Sequence, residues 1–268
     1  MPFEFIIVSK ADQVTTITLN RPQAMNAMVP PMHVEMEQAL DEFAADKSQR
    51  VCVITGAGDR AFCAGSDLKH AATVRANGET THGNYPRSGY GGIAERFDLD
   101  KPVIAAVNGV AMGGGFEIAL ACDLIIASDN AVFALPEPLV GAVALGGGVH
   151  RLIRQIGQKQ AMGMLLTGRR VSAEEGQKLG FVNEVVPHSE LMSAVDRWVK
   201  QILACSPIAI EATKQSAYRG LEEPSVAAAI NNQKRYKKFV EWLASEDIRE
   251  GPLAFAEKRT PKWRMKDK

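Results

Sequence analysis

Two glutamates carry the chemistry that this sequence offers. Glu117 follows three consecutive glycines, Gly113, Gly114 and Gly115, and Glu137 stands between Pro136 and Pro138 among apolar neighbours. Residues 102–107, PVIAAV, form a short, apolar, β-branched run ending at Asn108-Gly109, which reads as a buried strand closing in a tight turn. The glycines then fall where a helix should begin. Glycine weakens a helix and packs no side chain, so three together mark a place where something lies against the backbone. The free N–H groups of a first helical turn carry partial positive charge and favour an oxygen that is negative or becoming so. A donor site for an oxyanion and the carboxylate of Glu117 would then share one helix end. A glutamate in a first turn also serves simply to complement the helix dipole, and glycines also mark plain close packing, so this stretch alone leaves function open.

The two flanking prolines hold Glu137 stiffly in a low-polarity setting. Such a setting raises a carboxyl pKa, as a proton donor needs, although an exposed loop glutamate looks the same in sequence. About fifty residues before the glycines lies a patch of small residues, Ala61 to Lys69, that includes Ala64, Ser66, Asp67 and Leu68. It sits just past a strand, where parallel sheets hold their ligands. Taken alone, this patch reads first as an ordinary strand-to-helix turn with Asp67 as its cap.

The elements that must position these groups are legible from hydrophobic period and turn residues. Residues 3–8 and 14–19 predict an opening hairpin around a polar turn at 9–13. A helix from Pro31 carries Met36, Leu40 and Phe43 on one face, and residues 51–55 predict the next buried strand. Strand, helix, strand implies a parallel sheet with right-handed crossovers. Residues 76–92 are rich in glycine and turn formers and read as a mobile loop over a pocket, with His82 simply solvated. Residues 124–127 and 131–134 predict short strands, and the glycines at 146–148 open another helix, in which His150 has no partner at catalytic spacing. Ser172 to Glu175 form a capping box for a short helix closed by Gly180, and residues 181–186 predict a last strand. From Ser189 the chain becomes helical, over 191–203, 208–219 and 224–244. Phe239, Trp242 and Leu243 there offer more apolar surface than one helical layer hides, which points to subunit contacts. The basic end, residues 260–268, reads as frayed.

The 268 residues, 46% of them hydrophobic, suffice for a full core. Lys+Arg and Asp+Glu both number 31. That balance argues against general affinity for nucleic acid or an anionic membrane, so an anionic ligand must be held by local groups. Cys52, Cys63, Cys122 and Cys205 are widely spaced, without a CxxC pair, and read as reduced core residues of a cytoplasmic protein with no zinc site or disulfide framework. No export signal and no run of membrane-spanning length is apparent.

Taken in order, NRPQAMNAM (20–28), ITGAGDRAFCAGSDLK (54–69), KPVIAAVNGVAMGGGFEIALACD (101–123), FALPEPLVG (133–141) and LAFAEKRTP (253–261) resemble the crotonase, or enoyl-CoA hydratase, superfamily over nearly the whole chain. The resemblance implies an α/β fold, a crotonase-like spiral of ββα repeats with a C-terminal helical trimerisation region. Residues 1–188 would form the core with the active site, and residues 189–268 the oligomerisation region of a homotrimer or of a homohexamer of paired trimers. It implies an acyl-CoA substrate whose thioester carbonyl is held by the backbone N–H groups of Ser66 and Gly114. Ala64, Ser66, Asp67, Leu68 and Lys69 would lie along the CoA, and Phe255 and Lys258 would reach its nucleotide part, commonly in a neighbouring subunit. Coenzyme A enters only as part of the substrate, with no permanent cofactor and no metal. Glu117 and Glu137 align with the glutamate pair of family hydratases, in which Glu137 would supply the α-proton while Glu117 orients and deprotonates the water that adds at Cβ. Many relatives of other function, isomerases and dehalogenases among them, keep only one glutamate or move an acid elsewhere, and residues 139–150 contain no acid, so both glutamates favour hydration or dehydration over the alternatives of double-bond isomerisation or carbon–carbon cleavage. An RNA-binding relative on the same scaffold would need a basic face, against which the zero net charge argues.

Within the superfamily, residues 88–109, 113–123 and 246–259 are similar to the crotonobetainyl-CoA hydratase (carnitinyl-CoA dehydratase) branch. The chain departs from it at Val143-Ala144-Leu145, where a proline-containing segment is usual. A trimethylammonium group on the acyl chain would call for aromatic faces or an acid, for which Tyr85, Tyr90 and Phe97 are candidates by position.

Overall fold

The computed structural model describes residues 3–76 and 85–263. It opens with the expected hairpin, β1 (Ile6–Ala11) and β2 (Val14–Leu19), paired antiparallel from Ile6 opposite Leu19 to Ala11 opposite Val14. The turn is shorter than the sequence suggests. Only Asp12 and Gln13 make it, and Asp12 takes the left-handed φ of 53° that two-residue turns require. Ser9 and Lys10 continue β1 despite their polarity, because an edge strand can leave side chains in water.

The middle of the chain repeats one unit three times. After α1 (Pro30–Ala45), β3 (Val51–Gly56) leads through a turn to β4 (Ala61–Cys63) and then α2 (Leu68–Ala76). Next, β5 (Val103–Val107) leads to β6 (Val110–Met112) and α3 (Gly114–Ala121). Then β7 (Leu124–Ser128) leads to β8 (Val132–Ala134), a 3-10 turn over Glu137–Val140, and α4 (Gly148–Ile156). The first strand of each unit joins one sheet and the second joins another. One sheet runs β1-β2-β3-β5-β7-β10 and the other β4-β6-β8-β9, with β9 (Val171–Ser172) and β10 (Glu184–Val186). Apart from β1 and β9, neighbouring strands are parallel. The sequence reading placed one strand before the glycines where there are two, since Val110 to Met112 is too short to announce itself beside the Asn108-Gly109 turn.

Each step from sheet to sheet needs a sharp turn, and two buried asparagines peg these turns together. Asn108 accepts from the Gly56 N–H at 3.1 Å and donates to the Gly56 and Gly58 carbonyls at 2.9 and 2.8 Å. Asn26 accepts from the Arg21 N–H at 3.0 Å and donates to the Ala57 and Ala61 carbonyls at 3.0 and 2.8 Å. Backbone groups that the turns remove from the ladders are thereby satisfied inside the protein.

The main core includes Ile17, Leu19, Ile54, Phe62 and Val107 and a ring cluster of Phe116, Phe133 and Phe181 with centroids 5.1 to 5.2 Å apart. Two further helices, α5 (Gln158–Thr167) and α6 (Ala173–Leu179), precede β10, and Ser172 caps α6 as its sequence implies. Next, α7 (Leu191–Leu203) covers the other face of the large sheet, packing Leu191, Ala194, Val195 and Val199 among Val51, Val53, Ile104, Ala106 and Ile126. Burial on both faces explains why β3 and β5 are apolar without alternation.

The remaining helices are α8 (Pro207–Gly220), α9 (Val226–Asn232), α10 (Lys237–Leu243) and α11 (Asp247–Ala256). The single helix expected over 224–244 is broken at Tyr236, whose ψ of 136° is extended. The Tyr236 hydroxyl and the Asn232 amide both donate to Glu223, and the break lets α10 fold onto α8, where the Lys238 N–H meets Gln215 at 2.9 Å. Tertiary bonds outweigh helix propensity here.

A second correction concerns residues 76–92. Residues 77–84, including His82, lie outside the described residues, as do 264–268 at the basic end. Residues 88–92, by contrast, are buried and tied down. The Ser88 N–H and hydroxyl both donate to Glu37 Oε1, at 2.8 and 2.7 Å, and the Gly91 N–H donates to His33 Nδ1 at 2.9 Å. Cys52, Cys63 and Cys122 are buried free thiols, whereas Cys205 is exposed and not a core residue.

Candidate active site

Three neighbouring strands of the small sheet deliver the chemical groups. The chain leaves β4 at Ala64, Gly65 and Ser66, leaves β6 at Gly113 and Gly114, and leaves β8 at Leu135, Pro136 and Glu137. All three strands are parallel, so the groups emerge together at their carboxyl ends. The Gly113 N–H bonds the Ala134 carbonyl at 2.9 Å, which locks the start of α3 to the end of β8.

The first of the two acids, Glu117, is buried in the first turn of α3. Its Oε1 accepts the Gly148 N–H at 2.8 Å, so the start of α4 fixes the carboxyl. Gly146 also presses on it, since a methyl group there would lie 2.6 Å from Glu117 Oε2. Burial pushes the Glu117 carboxyl up to about 7; the Gly148 N–H pulls against this and the charge of Glu137 adds to it. Glu137 is half-buried, and burial raises its pKa too. A methyl group on Gly113 would lie 2.9 Å from Glu137 Oε1, so this carboxyl rests on the residue just before α3. Glu137 Oε2 is buried and has no hydrogen-bond partner among the described residues. One acid is thus oriented by a backbone donor while the other keeps a buried oxygen without a partner among the described residues.

Opposite them, the backbone approaches itself closely. Gly65 has φ of 88°, and a methyl group there would fall 2.7 Å from the Met112 carbonyl oxygen and 3.2 Å from the Gly114 nitrogen. Only glycine fits such a position, and its close approach puts the Gly65–Ser66 peptide beside the Gly114 amide. Among the described residues neither the Ser66 nor the Gly114 N–H donates to the protein. Gly114 lacks a side chain for a further reason: any Cβ would run into the phenol of Tyr90. The Tyr90 hydroxyl lies 3.1 Å from Ser66 Oγ, and its ring packs on His33 and Tyr85 at 4.6 and 5.4 Å between centroids.

The other sequence candidates are more dispersed. Asp67 caps α2 through the Lys69 and His70 N–H groups at 3.2 and 3.1 Å and pairs with Arg21 at 3.1 Å, which is the structural role allowed for it. Ala64 is half-buried, and Leu68 and Lys69 stand exposed on the first turn of α2, beside Ser66. Phe255, 87% exposed near the end of α11, and Lys258 beyond it both stand at the surface. Of the aromatic candidates, Tyr85 and Tyr90 come together, while Phe97 is 76% exposed and faces the Arg151 guanidinium at 6.0 Å. His150 is exposed on α4. His33 was not foreseen: burial lowers its pKa to about 4, and as a neutral ring it anchors the turn that carries Tyr90. Its apolar neighbours Met32 and Met36 hid it within a helix face. No group of three or more metal-ligating side chains is found among the described residues, nor is any helix there long and apolar enough to cross a membrane.

Two sheets wound from ββα units, with Glu117, Glu137 and the Ser66 and Gly114 amides all carried at the ends of three neighbouring strands, define a layered α/β scaffold with its candidate site at one sheet end. The chain belongs to the enoyl-CoA hydratase/isomerase family, whose model matches residues 9–266. Its sequence is 46% identical over 253 residues to a carnitinyl-CoA dehydratase of Proteus mirabilis (strain HI4320), covering 94% of this chain and 95% of that protein. The carnitinyl-CoA dehydratase of Escherichia coli (strain K12) is 44% identical over 263 residues, with 97% and 98% covered. The fold superposes on the crystal structure of an enoyl-CoA hydratase from Mycobacterium tuberculosis H37Rv with a TM-score of 0.87 at 36% identity, over 97% of this chain and 98% of that one.

Proposed function

We propose that this chain adds water to a 2-enoyl-CoA thioester and removes it from the 3-hydroxyacyl-CoA, using Glu117 and Glu137 as its acid–base pair. The observation that carries the reading is the meeting of two carboxyls with raised pKa, one holding an unpartnered buried oxygen, with the amides of Ser66 and Gly114. Those amides take the thioester oxygen, and their hydrogen bonds strengthen as it gains enolate charge. Glu117, oriented by Gly148, draws the proton from the water that attacks Cβ. Glu137 then gives its proton to Cα. In dehydration the roles exchange. Mutual repulsion favours the singly protonated pair, which is the form that both directions need.

Ala64, Ser66, Asp67, Leu68 and Lys69 lie along the CoA in this reading, with Phe255 and Lys258 reaching the nucleotide of a neighbouring subunit. Val226, Ile230, Val240, Leu243 and Leu253 are exposed in the single chain. That exposed apolar surface supports residues 189–268 as the oligomerisation region of a homotrimer or homohexamer. Free buried thiols and an acyl-CoA substrate suit a cytoplasmic enzyme without a permanent cofactor. The names of the two relatives, with Tyr85 and Tyr90 beside Glu117, favour a betainyl acyl group, since aromatic faces and a carboxylate attract a trimethylammonium.

Conjugated enoyl thioesters absorb in the ultraviolet, and hydration removes that band. A screen of straight, branched, aromatic and betainyl enoyl-CoA esters therefore reads turnover directly, and Glu137→Gln should lower kcat by at least ~100-fold while CoA-ester binding persists. Unchanged turnover would take Glu137 out of the mechanism. Double-bond isomerisation or carbon–carbon cleavage would give products that lack the mass of one added water.

A further inference from the structure

We propose that the Tyr90 phenol is a third hydrogen-bond donor to the thioester oxygen, acting beside the Ser66 and Gly114 amides with the Ser66 hydroxyl as its relay. The inference rests on the hydratase reading and extends its oxyanion hole by a side chain.

Four observations lead to it. The end of the phenol ring lies directly against Gly114, where a side chain on that residue would collide with Tyr90 Cζ and its hydroxyl oxygen. The same hydroxyl is 3.1 Å from Ser66 Oγ, so it stands between the two residues whose amides face the carbonyl. The ring is 4% exposed, yet its oxygen has this single protein partner among the described residues, and a phenol can donate one hydrogen bond while accepting another. The segment that carries it is fastened to α1 at three points: Ser88 on Glu37, Gly91 on His33 Nδ1, and Gly92 against the helix backbone at Met36 and Glu37. A flexible surface tyrosine would need no such anchoring.

The chemistry follows from the hydroxyl's two faces. The Ser66 O–H donates to the phenol oxygen, and the phenol O–H donates to the carbonyl oxygen. Such a chain strengthens as the carbonyl becomes an enolate, because each bond polarises the next. Burial raises the Tyr90 pKa well above that of an ordinary tyrosine, so the phenol keeps its proton and remains a donor. Ser66 is required for the relay. An alanine there would leave the amide intact but remove the hydroxyl.

The test uses Tyr90→Phe, which keeps the ring against His33, Tyr85 and Gly114 and removes one oxygen. The probe is a dimethylaminocinnamoyl-CoA ester, whose absorption moves to longer wavelength as its carbonyl is polarised. Peak position at saturating protein is independent of how much of a preparation is active. The expected result is a red shift largest in the unmodified protein, smaller in Ser66→Ala and smallest in Tyr90→Phe. The kcat of Tyr90→Phe on the best enoyl-CoA should fall about 100-fold with KM within threefold, the low end of the loss for one oxyanion donor. A Tyr90→Phe protein with the unmodified peak position overturns the proposal, whether its turnover is retained or lost, since loss without a spectral change assigns the phenol to packing. If the unmodified protein neither turns over any enoyl-CoA nor shifts the probe, the hydratase reading itself fails.

Discussion

Replacing Gly146 by alanine should damage catalysis while sparing the fold. The φ of Gly146 is not among the positive ones, so alanine fits the backbone there. The added methyl would lie 2.6 Å from Glu117 Oε2 and 3.0 Å from both Glu117 Cδ and Tyr90 Cβ. Ordinary contact begins near 3.4 Å, so Oε2 must retreat by about 0.8 Å. Glu117 is a flexible side chain at its tip, and the cost to stability is small; removing a glycine from the unfolded chain returns about 0.4–1 kcal/mol of it. Retreat nevertheless strains the 2.8 Å bond from the Gly148 N–H to Oε1, which orients the carboxyl that the proposed mechanism uses as base. A displacement approaching 1 Å at a reacting group costs about 10²-fold in rate. We expect kcat to fall on the order of 30- to 100-fold, with KM within threefold and a melting temperature within about 3 °C of the unmodified protein. Steady-state loss of the enoyl absorbance and calorimetry measure the two quantities separately. A kcat within twofold would refute the placement of Glu117 as the oriented base, and a loss of activity that merely follows unfolding would refute the reasoning about geometry.

Two further outcomes follow from the same contacts. In Glu117→Gln the side chain no longer titrates. The native carboxyl has its folded pKa raised to about 7, so the folded state binds the extra proton, and the unmodified protein loses stability as pH rises from the unfolded value of 4.5 toward 7. The stability of the variant relative to it should therefore grow across that window by roughly 3 kcal/mol and level off above it; parallel stability curves from pH 4.5 to 8 would contradict this. In Asn108→Ala, three bonds between the β3–β4 and β5–β6 turns, two of them buried and one partly so, are lost and the Gly56 and Gly58 backbone groups are left without that partner. Denaturant unfolding should show a loss of about 3 kcal/mol or more, and a loss below 1 kcal/mol would mean that the turns hold without it.

The acids, the glycines and the order of strands were legible because each leaves a local mark. Glu117 sits one turn after Gly113–Gly115, and Glu137 is bracketed by prolines, so both could be singled out before any contact was known. The six residues of β3 announce themselves by a run that is apolar on both faces. What stayed hidden depends on partners far away in the chain. β6 has three residues, and its pairing with β4 and β8 makes it a strand. Residues 88–92 have a loop's composition, but Glu37 and His33, more than fifty positions earlier, hold them in place. Tyr90 was visible only as an aromatic in that segment; its position over Gly114 follows from the anchoring, which no local pattern encodes. The same holds for the Gly148 N–H that aims Glu117, thirty-one residues away. The break at Tyr236 likewise depends on Glu223 and on the packing of α10 against α8.

Why the site occupies three neighbouring strands, and not one long loop, follows from spacing. Adjacent strands lie about 4.8 Å apart, a distance set by backbone hydrogen bonds and independent of side-chain choice. Groups leaving the ends of β4, β6 and β8 therefore emerge in a fixed row, with the Ser66 amide on one flank, Gly114 and Glu117 at the centre and Glu137 on the other. The central strand carries both the Gly114 amide and Glu117, whose backbones are offset along α3 by three residues, about 4.5 Å of helical rise, and so are held equally rigidly. Rigid supports allow the site to hold what a stable core would reject, namely a buried carboxyl on Glu117 beside a half-buried one on Glu137 whose Oε2 has no partner among the described residues. Loss of the buried charge should stabilise the protein, as the Glu117→Gln comparison measures, and loss of the rigid frame should cost stability, as Asn108→Ala measures. The opposite signs of those two effects separate the groups placed for chemistry from the groups that place them.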